Sequence, residues 1–344
     1  MFSSSRLTLA RQRLGWTMSR LAAESGVSAR SLSAYENDNG YEPSLETLEK
    51  LSSALRVPVA FLSREPVDAV PPEAISFRKL SRTSATKRDA VLATANVALE
   101  FFTIVERHFA LPLPTIPTLD KNPPEEAAEI VRRRWSLGDK PISNMVHLLE
   151  SKGVRVAGLA HEFNDIDAFC FYRDSKPYVF LDTSRSGERQ RFDAAHELGH
   201  LVLHDAQDMT PTESKAREAE ANRFASSFLM PRSSIFSQAM SAASLERILA
   251  ARKYWKVSAM ALTHRLHDLG LLGDWQYRSM CITLSDLGYR SSEPNGMVPE
   301  TSLLLRKVMF GESRLRLKDA ASELALDTPD LSRFLHGLVP VAAS

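Results

Sequence analysis

Two histidines and a glutamate stand at the spacing of a metal site that can activate water. His196 and His200 are four residues apart, so on a helix both imidazoles leave one face, about 6 Å apart along the axis, and can bind one Zn²⁺ ion. Glu197 is rotated by about 100° from His196, which lets its carboxylate act as a base toward water beside the ion. The flanking residues are apolar, so the helix is expected to be buried, where these groups would cost several kcal/mol without a partner. The pattern therefore favours a zinc site over a solvated amphipathic helix.

A second helix is expected to supply the third metal ligand. Its pattern begins near Arg217 and ends at Pro231, which cannot continue a helix. Glu218 and Asn222 share one edge of its apolar stripe. We therefore expect Glu218 to bind the metal and Asn222 to hydrogen-bond the free ring nitrogen of a histidine.

Two further polar residues lie near this cluster and are not expected to bind the metal. His204 stands about 12 Å along the helix axis from His196, too far for both to reach one ion at bond lengths of about 2 Å. It is expected at the helix end or in the lining of the cleft. Glu220 points away from the edge that Glu218 and Asn222 share, and it is expected to form a surface or inter-helix ion pair.

The region around these residues resembles the ImmA/IrrE family of metallopeptidases. The resemblance is carried by residues 191–204, which read Arg-Phe-Asp-Ala-Ala-His-Glu-Leu-Gly-His-Leu-Val-Leu-His, by residues 218–225 and by Leu229-Met230-Pro231. Members resemble gluzincins, hold zinc with two histidines and a downstream glutamate, and are associated with cleaving transcriptional repressors during stress or mobile-element induction. The resemblance implies a zinc endopeptidase domain with Glu218 as the third ligand and a repressor as the substrate.

The amino-terminal region predicts a bundle of about four or five short helices. From Arg6 to about Phe61, apolar residues recur at helical spacing in short segments separated by turns. Thr17 and Ser28 are expected as N-caps, and Gly26 as the turn between the second and third helices. This arrangement is a helix-turn-helix.

In a helix-turn-helix the third helix lies in the major groove of DNA, and its exposed residues read bases. Arg30 is the strongest base-reading candidate, because a guanidinium can bind guanine through two hydrogen bonds. Arg11, Arg13 and Arg20 are candidates for phosphate contacts. For any single arginine, an ordinary solvated face is an equally good interpretation. The predicted DNA-binding set is Thr17, Arg20, Ser28, Arg30, Ser31 and Ser33.

Residues 6–62 resemble the XRE or Cro/C1-type helix-turn-helix family. The matching runs are 21–28, Tyr35-Glu36-Asn37, 42–48 and 55–58. Met18 stands where the family usually has a phosphate-holding glutamine, and Asp38-Asn39-Gly40 replaces a shorter loop. The resemblance implies a double-stranded DNA operator as a partner. A module used only for protein contact or dimerisation is the alternative.

The rest of the chain separates into ranges by composition and pattern. Prolines between Arg64 and Glu73 mark a linker, and a long helix is expected over 85–109. Strands over 154–159, 168–172 and 177–182 predict a small sheet before the metal helix, and an edge of it could receive an extended peptide. The predicted domains are 1–65, the DNA-binding module; 66–118, linker and long helix; 119–274, the zinc peptidase domain; and 275–344, a C-terminal helical domain.

The C-terminal range ends in a second helical pair. Residues 318–335 predict two short helices around a turn, similar to the N-terminal motif. Asp330 would take a base-reading position there, which disfavours DNA contact. A sensor or dimerisation domain is therefore expected, and a homodimer is one expected assembly.

Length and composition set the remaining bounds. The chain has 344 residues, 44% hydrophobic and 25% charged, which is ordinary globular material for about two or three domains. Its net charge of +1 leaves any nucleic-acid surface to a local patch. Its two cysteines form no Cys-x-x-Cys pair, which excludes a cysteine zinc site. The absence of a signal peptide or an apolar run of about 18 residues predicts a soluble, cytoplasmic protein without a membrane partner.

Together these features predict an α+β fold, mainly α, with an all-α helix-turn-helix bundle, a gluzincin-like domain with a small sheet, and a C-terminal helical domain. The expected function is a DNA-binding transcriptional regulator whose zinc-dependent endopeptidase domain cleaves a repressor or another regulatory protein. One alternative is a transcription factor whose peptidase-like domain is a non-catalytic sensor. Another is an antitoxin-like partner of a neighbouring gene product.

Overall fold

The computed structural model describes residues 1–37, 40–70, 84–159, 168–204, 211–238 and 240–339, except for the side chains of 211–214. The chain is mainly helical, with 58% helix and a small three-stranded sheet, so the predicted fold class is confirmed. Among the described residues, no helix is both long enough and apolar enough to cross a bilayer. Asp38 and Asn39, which set the predicted loop after the third helix apart from its family, lie outside the described residues.

The helices and strands follow one another along the chain with short connections. In chain order they are α1 (Ser4–Gln12), α2 (Met18–Ser25), α3 (Ala29–Glu36), α4 (Leu45–Leu55), α5 (Val59–Leu62), α6 (Ala85–His108), α7 (Pro124–Arg134), α8 (Met145–Ser151), β1 (Arg155–Leu159), β2 (Ala168–Arg173), β3 (Lys176–Asp182), α9 (Gly187–Leu203), α10 (Pro211–Leu229), α11 (Arg232–Ser237), α12 (Leu245–Trp255), α13 (Ala259–Asp268), α14 (Asp274–Asp286), α15 (Leu303–Phe310), α16 (Leu317–Leu324) and α17 (Thr328–Leu335).

Two compact units make up the described chain. The first unit lies within residues 1–111, 157–166 and 304–344, and the second lies within 112–156 and 167–303. The first therefore holds the N-terminal helices together with α16 and α17, whereas the second holds α7 to α14 and the strands β2 and β3. The four domain ranges given by the sequence remain predictions.

In the first unit, the helix-turn-helix is formed by α2 and α3, and local caps fix its turn. Thr17 accepts the backbone N–H of Arg20, and Ser28 accepts that of Ser31. Gly26 ends α2 at a φ of 68°, a left-handed conformation that glycine adopts without a Cβ clash. The predicted helix starts and the predicted turn are confirmed.

The C-terminal helices of the first unit pack on the long helix α6. The ring of Phe334 on α17 lies 5.2 Å from that of Phe101 on α6. Asp330, at the start of α17, forms an ion pair with the largely buried Arg13. The residue predicted at a base-reading position is thus a partner in a buried ion pair.

In the second unit, a small sheet supports α9. β2 runs antiparallel to β3, with Phe169 opposite Phe180. Nearly every residue of β3 is buried, as expected for a strand covered by a helix. Helix α9 packs on β2 and β3, and α10 packs on α9 and α7. This layering places α9 and α10 side by side.

Candidate metal centre

Helix α9 carries both histidines, and buried ion pairs hold its first turns. The Arg191 side chain is fully buried, pairs with Glu300 and donates to the backbone carbonyl of Ile142 at 2.9 Å. The other carboxylate oxygen of Glu300 accepts the backbone N–H of Met145 at 2.6 Å. The helix is therefore tied both to the start of α8 and to the segment around residue 300.

Helix α10 approaches α9 closely at Gly199. A Cβ atom placed on Gly199 would lie 3.2 Å from the Cα and from the carbonyl oxygen of Ala221, and 3.1 Å from the ring of Phe224. Backbone atoms cannot move aside as a flexible side chain can. Glycine at this position therefore lets the two helices approach closely enough for residues of α10 to reach the histidines of α9.

The three residues predicted as metal ligands come together between these helices. Ligand atoms of His196, His200 and Glu218 lie within 4.8 Å of one another. The two Nε2 atoms are 3.1 Å apart, and the Glu218 carboxylate oxygens lie 3.6 Å from Nε2 of His196 and 3.5 Å from Nε2 of His200. All three side chains are at most 15% exposed. Their binding of a metal stays a prediction.

Asn222 lies one turn along α10 from Glu218 and contacts the far side of the His196 ring. Its Oδ1 atom is 3.1 Å from Nδ1 of His196. An amide oxygen only accepts, so the ring proton is assigned to Nδ1, and Nε2 keeps a lone pair that faces the cluster. Burial lowers the pKa of His196 to about 3, so the imidazole is neutral near neutral pH. A neutral imidazole is the form that binds metal.

Glu197 is buried beside the cluster with one oxygen left without a partner. Its side chain is 4% exposed, and its Oε2 atom has no hydrogen-bond partner among the described residues. Burial raises the pKa of this carboxyl to about 7, although the nearby His200 ring acts in the opposite direction. The Cys170 thiol on β2 contacts the backbone carbonyl of Glu197 at 3.4 Å. A carboxyl with a pKa near 7 can take up and release a proton near neutral pH.

His204 and Glu220 form a contact between the two helices at the edge of the cluster. His204 is the C-cap of α9, and its Nδ1 lies 2.9 Å from Nδ1 of His200. Its Nε2 lies 2.9 Å from a carboxylate oxygen of Glu220. His204 takes the helix-end position, and Glu220 makes the inter-helix contact; each was one of two arrangements expected for that residue.

The predicted DNA-binding residues lie on α2, α3 and the residues that cap them. The Arg20 side chain is 61% exposed, and its guanidinium lies 5.2 Å from the centroid of the Trp16 ring. Arg30 and Ser33 are exposed on α3. Contact with DNA stays a prediction for the whole set, which is Thr17, Arg20, Ser28, Arg30, Ser31 and Ser33.

Two other arginines predicted to contact phosphate form largely buried ion pairs instead. Arg11 donates to both carboxylate oxygens of Glu36 at 2.7 Å. Arg13, which is 4% exposed, pairs with Asp330 and donates to the backbone carbonyl of Leu55 at 2.6 Å. The prediction was wrong for these two because helical spacing does not distinguish a solvated arginine from one that meets a distant carboxylate.

Two family models match the chain. Residues 149–267 match a peptidase family described as the IrrE N-terminal-like domain, and residues 7–62 match a helix-turn-helix family. The chain joins a helix-turn-helix domain to an IrrE N-terminal-like domain. The resemblances to the ImmA/IrrE and XRE-type families are confirmed, and the chain is a regulator with a peptidase-like domain. No curated protein matches the chain.

The residues of the IrrE-like domain fit a zinc ion. Two imidazoles and a carboxylate are the donor set of many catalytic zinc sites, which keep one position open. The Nε2 lone pair of His196 faces the Glu218 carboxylate, and nearby lies the buried Oε2 of Glu197, for which the described part of the chain offers no hydrogen-bond partner. Acceptors that face one another away from water are unfavourable without a cation or a donor between them.

The sequence interpretation missed three features of this centre. It assigned no role to Gly199, although a glycine inside a buried helix often marks a close approach by another element. It assigned no partner to Cys170, whose thiol contacts the backbone carbonyl of Glu197. It also gave no signal that His204 and Glu220 would meet, because that contact depends on how α9 and α10 pack.

Proposed function

We propose that this chain is a DNA-binding transcriptional regulator whose IrrE-like domain is a zinc-dependent endopeptidase, and that it cleaves a repressor or another regulatory protein. The cluster between α9 and α10 carries the proposal. His196, His200 and Glu218 bring ligand atoms within 4.8 Å of one another, and the buried carboxylate of Glu197 lies beside them.

Each residue of the cluster has a separate role in this proposal. His196, His200 and Glu218 would hold the zinc ion, and Asn222 would orient His196 through its Nδ1–H. A zinc ion there would supply a Lewis acid that makes water nucleophilic near neutral pH and polarises a peptide carbonyl. Glu197 takes a proton from the attacking water and gives it to the leaving amine as the peptide bond breaks.

The substitution Glu197→Gln tests this role. Glutamine keeps the shape of the side chain but cannot take up the proton, so we expect an unchanged zinc content and cleavage slowed roughly 100- to 10,000-fold. The purified full-length chain would be incubated with the DNA-binding protein encoded beside its gene, and the fragments would be identified by mass spectrometry. Glu246→Gln, at an exposed position of α12, is the matched control, and a chelator is the second control.

A Glu197→Gln chain that cuts at the wild-type rate would remove Glu197 from the mechanism. A wild-type chain that binds zinc but leaves its partner intact would contradict the endopeptidase proposal and support a non-catalytic sensor. Tight binding of a neighbouring gene product without proteolysis would support the antitoxin-like alternative.

The DNA-binding half of the proposal rests on the exposed face of α3. We expect Arg30→Ala to weaken binding to the operator by about 1–3 kcal/mol and to relax the preference at one base pair. Arg278→Ala, an exposed arginine on α14 in the second unit, should leave the affinity unchanged. Fluorescence anisotropy at one fixed salt concentration would measure both variants on DNA from upstream of the gene. Equal affinities for Arg30→Ala and wild type would favour use of the module for protein contact alone.

A further inference from the structure

We infer that His204 and Glu220 are positioning residues that hold the ring proton of His200 on Nδ1 and so keep its Nε2 available for the metal. The inference rests on the proposed zinc site. It assigns a role to two residues that are outside the three-residue cluster and that join α9 to α10.

Three side chains form a continuous chain of short contacts. Nδ1 of His200 lies 2.9 Å from Nδ1 of His204, and Nε2 of His204 lies 2.9 Å from Oε2 of Glu220. The His204 side chain is 9% exposed, so water has little access to the middle of this chain. The Glu220 side chain is 38% exposed, and its carboxylate is therefore at the outer end.

The Glu220 carboxylate at the outer end sets the direction of the first hydrogen bond, and in a neutral His204 that bond sets the direction of the second. An ionised carboxylate only accepts, so the Nε2 of His204 donates to Glu220. A neutral imidazole with its proton on Nε2 has an acceptor at Nδ1. A neutral His204 of this kind accepts from the Nδ1–H of His200, and the Nε2 of His200 keeps its lone pair, whereas a protonated His204 would donate from both of its ring nitrogens.

The opposite arrangement is incompatible with metal binding by His200. If Nδ1 of His204 donated to His200, the proton of the neutral His200 ring would have to sit on Nε2, which faces Nε2 of His196 at 3.1 Å. A protonated nitrogen cannot bind a metal. The identity of the group at Nδ1 of His200 thus decides whether its other nitrogen is a ligand.

The same logic operates independently on the other histidine of the cluster. Asn222 fixes the proton of His196 on Nδ1 by accepting from it. Each histidine on α9 is therefore oriented from α10, directly by Asn222 for His196 and through His204 by Glu220 for His200. Partners of this kind typically change metal affinity about 10- to 100-fold when they are removed.

The test measures zinc affinity of the full-length chain by competition with a chromophoric chelator. We expect His204→Leu to weaken zinc binding roughly 10- to 100-fold, because it removes the acceptor for His200. We expect His204→Asn to restore most of the affinity, because its Oδ1 can accept near the position of Nδ1. Glu220→Ala should weaken binding in the wild-type background and have no added effect in the His204→Asn background, which lacks the link through Nε2.

His264→Leu is the matched control. It removes a histidine that contacts Asp268 at 2.9 Å on α13 in the same unit, and we expect wild-type zinc affinity. Equal affinity of His204→Leu and wild type would overturn the inference, and so would an equal loss in His204→Leu and His204→Asn. Cleavage is not part of this readout. A wild type that binds zinc and cuts nothing, with the expected order of affinities, would overturn the endopeptidase proposal and support the inference.

Discussion

The start and the middle of helix α9 hold buried polar groups in opposite ways. At the start, Arg191 and Glu300 bring opposite charges together, and the remaining oxygen of Glu300 is satisfied by backbone N–H groups. In the middle, the ring nitrogens of His196 and His200 face each other and the carboxylate of Glu218. Complementary partners stabilise a fold, whereas buried acceptors that face one another indicate a place for a cation.

The largest effect is expected when the complementary ion pair at the start of α9 is broken. Arg191→Met leaves the carboxylate of Glu300 buried without its counter-charge, so we expect the free energy of unfolding to fall by about 3–5 kcal/mol. Urea denaturation would measure it. The double variant Arg191→Met/Glu300→Gln leaves no unpaired charge and should recover much of the loss. A double variant as unstable as the single one would show that the charge pair is not the cause.

The next prediction concerns the removal of one ligand from the cluster of acceptors in the middle of α9. His196→Ala removes one ligand and should weaken zinc binding by about 2.5–4 kcal/mol, roughly 100- to 1,000-fold, which is a quarter of what four ligands supply in zinc-binding peptides. His264→Ala is the matched control on an exposed helix face. The measurement is the same chelator competition. Equal zinc affinities of His196→Ala and His264→Ala would contradict the proposal that His196 is a metal ligand.

Zinc itself should distinguish the two ends of the helix. Bound zinc stabilises only the folded chain, so zinc at about 1,000 times its dissociation constant should raise the free energy of unfolding by about 4 kcal/mol in the wild type. The same increment is expected in Arg191→Met at a temperature where it is folded, and only about 0.4–1.4 kcal/mol in His196→Ala, whose zinc affinity is roughly 100- to 1,000-fold weaker. Thermal unfolding with and without zinc would give the three values. An increment in His196→Ala equal to that of wild type would mean that zinc binds elsewhere.

The smallest effect is expected near the start of α9, where two carboxylates share a single arginine. Glu188 and Glu293 share Arg252, at 3.5 and 2.9 Å, and burial raises the pKa of Glu293 to about 7. The fold thus favours the protonated form of Glu293. The stability that this preference contributes is fully present below a pH of about 4.5 and is lost as the pH rises through about 7. Glu293→Gln resembles the protonated form at every pH, so its stability relative to wild type should increase from pH 5 to pH 8. A constant difference in unfolding free energy would contradict the assignment.

Much of the centre could be predicted from the sequence because its geometry is local. The spacing of His196, Glu197 and His200 places them on one helix, and Glu218 and Asn222 share an edge of the next. The caps of α2 and α3 were predicted for the same reason, since Thr17 and Ser28 act within three residues of themselves.

The predictions that were wrong or missing also share one physical cause. Arg11 and Arg13 were assigned to phosphate because their partners are invisible in a local pattern, and Asp330 lies 317 positions from Arg13. The approach of α10 at Gly199 and the contact of His204 with Glu220 likewise depend on the packing of two helices. The periodicity of apolar residues shows which face of a helix is buried. It does not show which other element that face will pack against.

The sequence by itself determined which side chains share a helix face, where the helices begin, and which donor types are available to a metal, because these follow from the repeat of a single helix and from side-chain chemistry. Only the tertiary structure decided which acceptors are left facing one another and which charges are matched, because burial and distant partners are properties of packed elements. The ring proton of His200 is set by that packing, through a histidine at the end of its own helix and a glutamate on the next.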